Sequence, residues 1–336
     1  MSNPVNVALY GHRSIPLVMN TSTGSQGAVD RVQSFRPSMS VPTRQHRELG
    51  RVGAVGTSAS PLATRLTLQQ NLVDSFELEW ILTGKPLAPA GAQTYTLGDM
   101  LTYADLLKVF LLNRNQDGTI LSELELGGLS VTEIVWNFPA NGDNTLDISF
   151  AGRTALEYAA GAVIHSSWPT LDNTSLGGIA GREARLWLSS GSGATDRIYR
   201  VQSAQIRAAF PVTPVPELGN RNLAGHMTDG PDVSLTFDMM PGDQQPVTSL
   251  FTQTASITDF AQPTSPTDMY LRVFDPAQAE GLKVIRAIKV DNCVATGASR
   301  SSQVRGISTA QYTLVSASED TTDSGGITVS NRNLGG

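Results

Sequence analysis

The sequence predicts a mainly β chain: two tandem β-sandwich or barrel-like domains, each with one or two short helices and a long inter-strand loop. Three observations carry that prediction. The chain repeats itself at a spacing of 169 residues, segments of alternating apolar and polar residues recur along it, and a proline-broken stretch of nearly thirty residues interrupts both copies at the same place. Arg31-Val32-Gln33-Ser34 returns as Arg200-Val201-Gln202-Ser203, and Glu48-Leu49-Gly50 returns as Glu217-Leu218-Gly219 with no gap between the two motifs. Pro42, Gly56, Leu66, Thr67, Asp74 and Thr83 recur as Pro211, Gly225, Leu235, Thr236, Asp243 and Thr252, so one ungapped window of 54 positions holds thirteen identities. Composition alone would give about three to five, and a period this long describes a whole domain rather than a solenoid unit. The boundaries that follow are a first domain at 1–165, a linker at 166–181 rich in Ser, Gly and Asn, and a second domain at 182–336.

Each copy opens with a short apolar strand, Val5 to Tyr10 and Ala184 to Leu188. A Gly/Ser/Thr turn follows (Thr21–Gly27 and Ser189–Thr195), then a strand ending in the shared Arg-Val-Gln-Ser. The long segment, 36–63 in one copy and 205–231 in the other, reads as irregular, because Pro37, Pro42 and Pro61, and Pro211, Pro214, Pro216 and Pro231, remove ladder donors. It keeps Glu-Leu-Gly in both copies, which a disordered linker has no reason to do, and so it is read as an arm that becomes ordered against a neighbouring subunit. Strand resumes at Ala63–Leu68 and Asp232–Phe237. Leu78, Ile81 and Leu82 align with Val247, Leu250 and Phe251 as an i, i+3, i+4 stripe, the mark of a short helix with one face on a sheet. Val131–Phe138, Thr145–Phe150, Met269–Phe274, Val284–Val290 and Ala310–Val315 complete the strands, and Met100–Leu112 is an extra helical candidate through Leu101, Leu106, Val109 and Phe110.

Charge and cysteine content narrow the function. Charged residues make up 16% of the chain, against a typical ~25%. A polar but weakly charged surface suits a protein that meets other subunits over much of its area. The net charge of −6 is spread evenly, with 11 basic and 14 acidic residues in 1–165 and 13 and 16 in 166–336. No basic run is present, so tight phosphate binding is not indicated. Cys293 is the single cysteine, which rules out an internal disulfide and a Cys-rich metal site. The chain shows no charged-then-apolar leader and no apolar run approaching 18 residues, so a soluble protein folding in a reducing cytoplasm, without membrane contact, is expected.

The segments Gln202-Ser203-Ala204-Gln205-Ile206, Pro214-Val215-Pro216-Glu217-Leu218-Gly219-Asn220-Arg221 and Pro231-Asp232-Val233-Ser234-Leu235-Thr236-Phe237-Asp238 together resemble the tail tube proteins of tailed bacteriophages. In that family a strand leads into a long loop with a Glu-Leu-Gly-Asn-Arg-like motif and a second strand returns from it. The first copy looks like a degenerate version, keeping Glu48-Leu49-Gly50-Arg51 without the Asn-Arg pair. The resemblance covers 200–240 directly, 31–84 through the repeat, and the remainder only in architecture. It implies tail-tube-like domains whose sheets join around a ring into a barrel with a central channel, and rings stacked into a tube by the long loops. Two fused domains imply a trimeric ring of pseudo-sixfold symmetry, as in long non-contractile tails. Implied partners are the chain itself, other tail proteins such as tape measure, terminator and baseplate, and DNA passing transiently and non-specifically through the lumen. The implied location is the virion tail, assembled in the host cytoplasm. A tail terminator or a baseplate-hub ring sharing the fold is the alternative.

The residues expected at inter-ring or subunit contacts are Arg44, Arg47, Glu48, Leu49, Gly50 and Arg51 in the first loop and Glu217, Leu218, Gly219, Asn220 and Arg221 in the second. Glu123-Leu124-Glu125-Leu126 alternates carboxylate and leucine, so Glu123 and Glu125 share one face of a strand, either an acidic lumen face or an ordinary solvated one. No catalytic, cofactor or metal constellation emerges. His12, His46, His165 and His226 are scattered without ligand spacing. Asn113 to Gly118 opens like an EF-hand loop, but the twelfth position, which should supply a bidentate glutamate, is Leu124. Gly56-Thr57-Ser58-Ala59-Ser60 falls short of a nucleophile elbow, and no phosphate-cradling glycine motif occurs. Trp80, Trp136, Trp168 and Trp187 read as core or interface anchors. The sequence therefore predicts a non-enzymatic, cofactor-free structural protein.

Overall fold

Leu66 and Leu68 alternate with polar residues along one strand, and Leu146, Ile148 and Phe150 along its partner; the apolar set is fully buried while the polar set stays partly or wholly exposed. That division repeats through the chain and makes it mainly β. The structure, a computed structural model, describes residues 16–29, 31–41, 43–47, 54–59, 62–72, 77–84, 94–114, 119–164, 179–188, 197–218, 222–240, 266–276, 283–301, 309–317 and 326–330. In the first half the elements are β1 (Pro16–Asn20), β2 (Gln26–Ala28), β3 (Val32–Ser40), β4 (Thr43–Arg47), β5 (Ala54–Ala59), β6 (Ala63–Asn71), α1 (Glu77–Thr83), β7 (Thr94–Thr96), α2 (Leu97–Leu101), β8 (Leu107–Arg114), β9 (Ile120–Pro139), β10 (Thr145–Gly152) and β11 (Thr154–Ala159). The second half contributes β12 (Ala184–Leu188), β13 (Arg197–Ile198), β14 (Val201–Ala209), β15 (Val212–Pro216), β16 (Leu223–Thr228), β17 (Asp232–Met239), β18 (Thr267–Phe274), β19 (Val284–Ser301), β20 (Thr309–Ser316) and β21 (Ile327–Ser330).

The two halves share one pairing scheme. In the first, β2-β1-β8-β9-β11 form one layer and β3-β6-β10-β9 the other. In the second, β13-β12-β18-β19-β21 and β14-β17-β20-β19 do the same. Val18 and Val109 of one layer belong to the same apolar core as Leu66 and Ile148 of the other, so the layers pack face to face. β9 and β19 are long because each serves both layers of its half. Each turns between them at a left-handed residue: Gly128 at φ 59° in β9 and Asn292 at φ 49° in β19. Glycine and asparagine are the residues that tolerate this region.

The shared Arg-Val-Gln-Ser opens strands rather than ending them. Arg31 and Arg200 adopt positive φ (52° and 60°), and in each half the following glutamine donates through Nε2 to the arginine carbonyl at 3.3 Å. That carbonyl also accepts from Asn71 N–H in the first half and Met240 N–H in the second. A bulge then skips Gln33 and Gln202, since Val32 and Ser34 face Gln70 and Gln69 just as Val201 and Ser203 face Met239 and Asp238. The motif is thus a device for launching β3 and β14.

Two further expectations from the sequence are corrected. The segments 36–63 and 205–231 are not irregular: β3 and β14 run well into them, and two-stranded hairpins follow, β4 with β5 and β15 with β16. Pro214 and Pro216 are tolerated because, among the described residues, β15 pairs only with β16, so a missing N–H on its other side breaks no ladder. Met100–Leu112 is not one helix either. α2 ends at Leu101, Asp105 takes positive φ (63°), and β8 begins at Leu107. Leu107 and Val109 to Leu112 are all buried, so a strand covered on both faces shows no alternation and mimics a helix stripe. The short helix expected from the stripe Leu78, Ile81 and Leu82 is present as Glu77–Thr83, with those three residues buried. The strand at Val5–Tyr10, the stripe Val247/Leu250/Phe251 and most of the 166–181 linker lie outside the described residues.

The matched bends give a stability prediction. Gly128→Ala places a Cβ in the left-handed region and against Arg153, and is expected to cost at least about 1–2 kcal/mol. Asn292→Gly keeps the backbone shape and should stay within about 0.5 kcal/mol of the parent. Urea unfolding of the two variants checks the contrast.

Candidate assembly interface

The halves meet as neighbouring strands of one sheet. β14 of the second half pairs antiparallel with the C-terminal part of β9, from Ser203 opposite Pro139 to Ala209 opposite Glu133. The described strands therefore run β3-β6-β10-β9-β14-β17-β20-β19 without a break. One face of the junction is apolar: Ala204, Ile206 and Ala208 lie beside Ile134, Trp136 and Phe138, all buried. The other face is polar. There Gln205 Nε2 donates to Asn137 Oδ1 at 2.7 Å, and Arg207 Nε reaches Glu133 Oε1 at 2.5 Å. Across the whole run this face carries Ser, Thr, Asn and Gln with few charges. Arg36, Arg65 and Arg207 stand against Glu133, Asp147, Asp232 and Asp238. Burial raises the Asp147 carboxyl above its usual range, and hydrogen bonds from Gln69 and Asn137 partly offset this.

Two further contacts cross between the halves. β7 pairs with β21, and beside it the Arg286 guanidinium of β19 meets the Glu79 carboxylate of α1, both side chains 1% exposed. Tyr95 of β7 lies against this pair, and burial, reinforced by Glu79, holds its phenol well above the usual value. The second contact fastens the β15–β16 hairpin onto the first half. Asp105 Oδ1 lies 2.5 Å from His226 Nδ1, while its Oδ2 accepts from His226 N–H at 2.6 Å. Arg153 Nε lies 3.5 Å from the same carboxylate, and Arg153 Nη1 donates to the Ala224 carbonyl at 2.5 Å. A Cβ on Gly225 would come within 3.0 Å of Asp105 Oδ2, so the close approach uses a residue without a side chain. Ser130 Oγ completes the cluster, 3.3 Å from Asp105 Oδ1 and 3.5 Å from His226 Nδ1. Serine and aspartate both address the same imidazole nitrogen, so this is a clasp and not a nucleophile relay, which needs the two ring nitrogens to serve different partners.

The expected contact residues divide by location. Glu217 and Leu218 sit at the tip of the β15–β16 hairpin, Leu218 fully exposed. Arg44 and Arg47 belong to β4, but their side chains, together with Glu48, Leu49, Gly50, Arg51, Gly219, Asn220 and Arg221, lie outside the described residues. Glu123 and Glu125 are not on an open face. Both are buried: Glu123 Oε2 accepts from Ile164 N–H at 2.6 Å, and Glu125 takes Lys108 Nζ at 2.6 Å and Tyr158 O–H at 2.7 Å. The alternation does mark a strand; the layer covering that strand is what hides the carboxylates.

Some features have no linear signal. Arg182, Arg185, Arg197 and Arg200 line a cavity of ≈ 160 Å³ between the halves, although no basic run exists in the sequence. Arg185 and Arg197 stack over the rings of Phe274 and Tyr199. Burial would lower the Lys289 ammonium, but hydrogen bonds to Asp291 and Asp268 reverse this and raise it above its usual value. Among the described residues no helix is long and apolar enough to cross a membrane, and no group of three or more metal-ligating side chains occurs.

No family model matches this chain, and no curated protein does. Solved structures with partial likeness include the anti-feeding prophage cap, a tube terminating cap, at TM-score 0.34 and 12% identity over 50% of this chain and 97% of that one. The sheath-tube complex of the PVC extracellular contractile injection system in its extended state aligns at TM-score 0.32 and 12% identity, over 42% of this chain and 88% of that one. The sheath/tube terminator of that system aligns at 0.31 and 10%, over 46% and 96%. Likeness of this degree carries no conclusion about function.

The two cross-half contacts should behave differently on mutation. Asp105→Ala removes the carboxylate that holds His226 through both its ring and its N–H, and is expected to cost about 1–3 kcal/mol and to open the β15–β16 hairpin to limited proteolysis. Arg286→Met alone leaves the Glu79 carboxylate buried without its cation and should cost about 3–5 kcal/mol; adding Glu79→Leu should return much of that loss. Denaturant midpoints of the single and double variants are the check.

Proposed function

We propose that this chain is a structural tail protein: a tail tube subunit whose copies close into rings, three chains with pseudo-sixfold symmetry, that stack into a hollow tube for DNA. In this reading 1–165 and 182–336 are two tube domains joined by 166–181. The observation that carries it is the β9·β14 junction. Two halves with the same pairing scheme already stand edge to edge, as successive members of a ring would, with β3 at one end of the run and β19 at the other. Eight strands per chain would give a closed barrel of twenty-four in a trimer.

The polar face of that run is the natural channel wall. Its hydroxyl and amide side chains, with three arginines against four carboxylates, offer phosphates no cationic track, so a polyanion passes without being held. Leu218, fully exposed beyond the end of β15, supports reading the β15–β16 hairpin as a contact with an adjacent ring. Partners are then other copies of the chain, the tape measure, terminator and baseplate, and DNA in transit, with the virion tail as the location.

Negative-stain electron microscopy of the purified protein, concentrated and gently warmed, tests the proposal. Hollow tubes with a regular axial repeat are expected. Closed rings that never stack point instead to a tail terminator or baseplate-hub ring. A protein that stays monomeric at every concentration overturns the reading.

A further inference from the structure

The junction inside the chain is a template for the edges the chain leaves open. Among the described residues β3 pairs on one side only, with β6, and beyond Cys293 β19 pairs on one side only, with β20. β3 corresponds to β14 through the recurring register: Phe35 opposite Leu68 matches Ala204 opposite Phe237. The end of β19 corresponds to the end of β9 in the same way. Thr145 faces Asn137 and Ser149 faces Glu133 in the first half; Thr309 faces Ser301 and Thr313 faces Gly297 in the second, with one residue skipped next in each case. The two open edges are therefore equivalents of the two strands that already pair with each other.

We infer that β3 of one chain pairs antiparallel with the end of β19 in a second copy, in the register of the β9·β14 junction, which sets Ser38 opposite Ser299 and Ser40 opposite Gly297. This rests on the ring reading and specifies which edges close it. Exposure agrees with an unfilled site. Ile206 and Ala208 are 0% exposed in the internal junction, whereas their counterparts Pro37 and Met39 are half-buried and 52% exposed. Ile134 is 0% exposed and its counterpart Ala298 is open.

The external junction is also weaker by construction. Phe210 N–H donates to Thr132 O, and Gln202 O accepts from Ala140 N–H, so alternation turns the amide of Ile206 towards β9. Its counterpart Pro37 has no N–H to offer there, which removes one ladder bond and deters indiscriminate pairing of the edge. The Arg207–Glu133 ion pair has Ser38 and Gly297 as counterparts, so that contact is absent as well. Chains are joined to one another less firmly than their halves are joined within.

Cross-linking tests the register. The Arg207 and Val135 pair is a non-hydrogen-bonded one, so its counterparts Ser38 and Ser299 should lie about 4.5 Å apart at Cα, within disulfide reach. Both serines are exposed, and the native Cys293 is buried with its thiol pushed up to about 12, first by burial and then by Asp268 and Asp291. Under mild oxidation S38C/S299C is expected to give covalent dimers and trimers, and S34C/S299C none. Mixing the S38C and S299C single variants should give dimers only. A second variant, S38R/G297E, restores the missing ion pair and should lower the concentration needed for assembly roughly two- to fivefold. Rings or tubes seen by microscopy while S38C/S299C forms no intermolecular disulfide overturn this pairing and leave the ring reading intact. A protein that neither assembles nor cross-links overturns both.

Discussion

A strand at the rim of a sheet leaves alternate N–H and C=O groups without partners, and the way this chain meets that constraint organises the rest of it. In the first half, the C-terminal part of β9 would be such a rim. The second half supplies β14 to it, residue for residue, from Ser203 at Pro139 to Ala209 at Glu133. Because β9 also forms part of the opposite layer through β8 and β11, the same strand anchors both layers of one half and the whole of the other. Trp136, fully buried at this junction, has Ile206 directly across from it. Register here cannot slip by one residue without turning that apolar set to the polar face.

Electrostatics serve registration more than raw stability. The Arg286–Glu79 pair is almost wholly buried, and a buried pair gains little net free energy over an apolar substitute. What it does is penalise any arrangement of the halves that leaves either charge alone. The Asp105 clasp acts in the same way on the β15–β16 hairpin, which it holds by two backbone-directed contacts, at His226 N–H and at the Ala224 carbonyl. β7 pairs with β21 and β14 with β9, so each half contributes a strand beside the other. A chain with only 16% charged residues concentrates several of them at this one boundary.

The repeat made much of this legible. The repeat and the alternation at Ala63–Leu68, Asp232–Phe237 and Thr145–Phe150 gave β6, β17 and β10, the last with the correct buried face, whereas the shared Arg-Val-Gln-Ser read as the end of strands that it in fact opens. What the sequence hid follows from physical causes. Prolines signalled irregularity at Pro214 and Pro216, although a two-stranded hairpin with an open side accepts them. β8 is buried on both faces, so its apolar run carried no period to distinguish strand from helix. Glu123 and Glu125 alternated as surface residues do, and partners that include Lys108, Tyr158 and Ile164 N–H, from three other places in the chain, make their burial possible. The Asp105–His226 clasp joins residues 121 positions apart, beyond the reach of any spacing rule, and the four arginines around the inter-half cavity, though all within 182–200, are brought together from different elements rather than from one basic run.

Divergence between the two halves has a direction. Where the internal junction has Ile206, Arg207, Glu133 and Ile134, the equivalent positions on the free edges are Pro37, Ser38, Gly297 and Ala298. Each change removes a ladder donor, a charge partner or apolar volume. In a single-domain protein both edges of every junction would be encoded by one sequence, so strengthening the junction within any pair would equally strengthen premature association of free subunits. Carrying two such units in one chain, as proposed, would uncouple the two. One junction, closed within the chain, is free to acquire a buried Trp136 and an ion pair, since forming it needs no encounter between molecules. In the proposed ring the other would keep the same strand order with weaker chemistry and so would depend on concentration and on cooperative closure. In the proposed ring, permanent association inside the chain and conditional association between chains would thus arise from one pairing geometry with two sets of side chains.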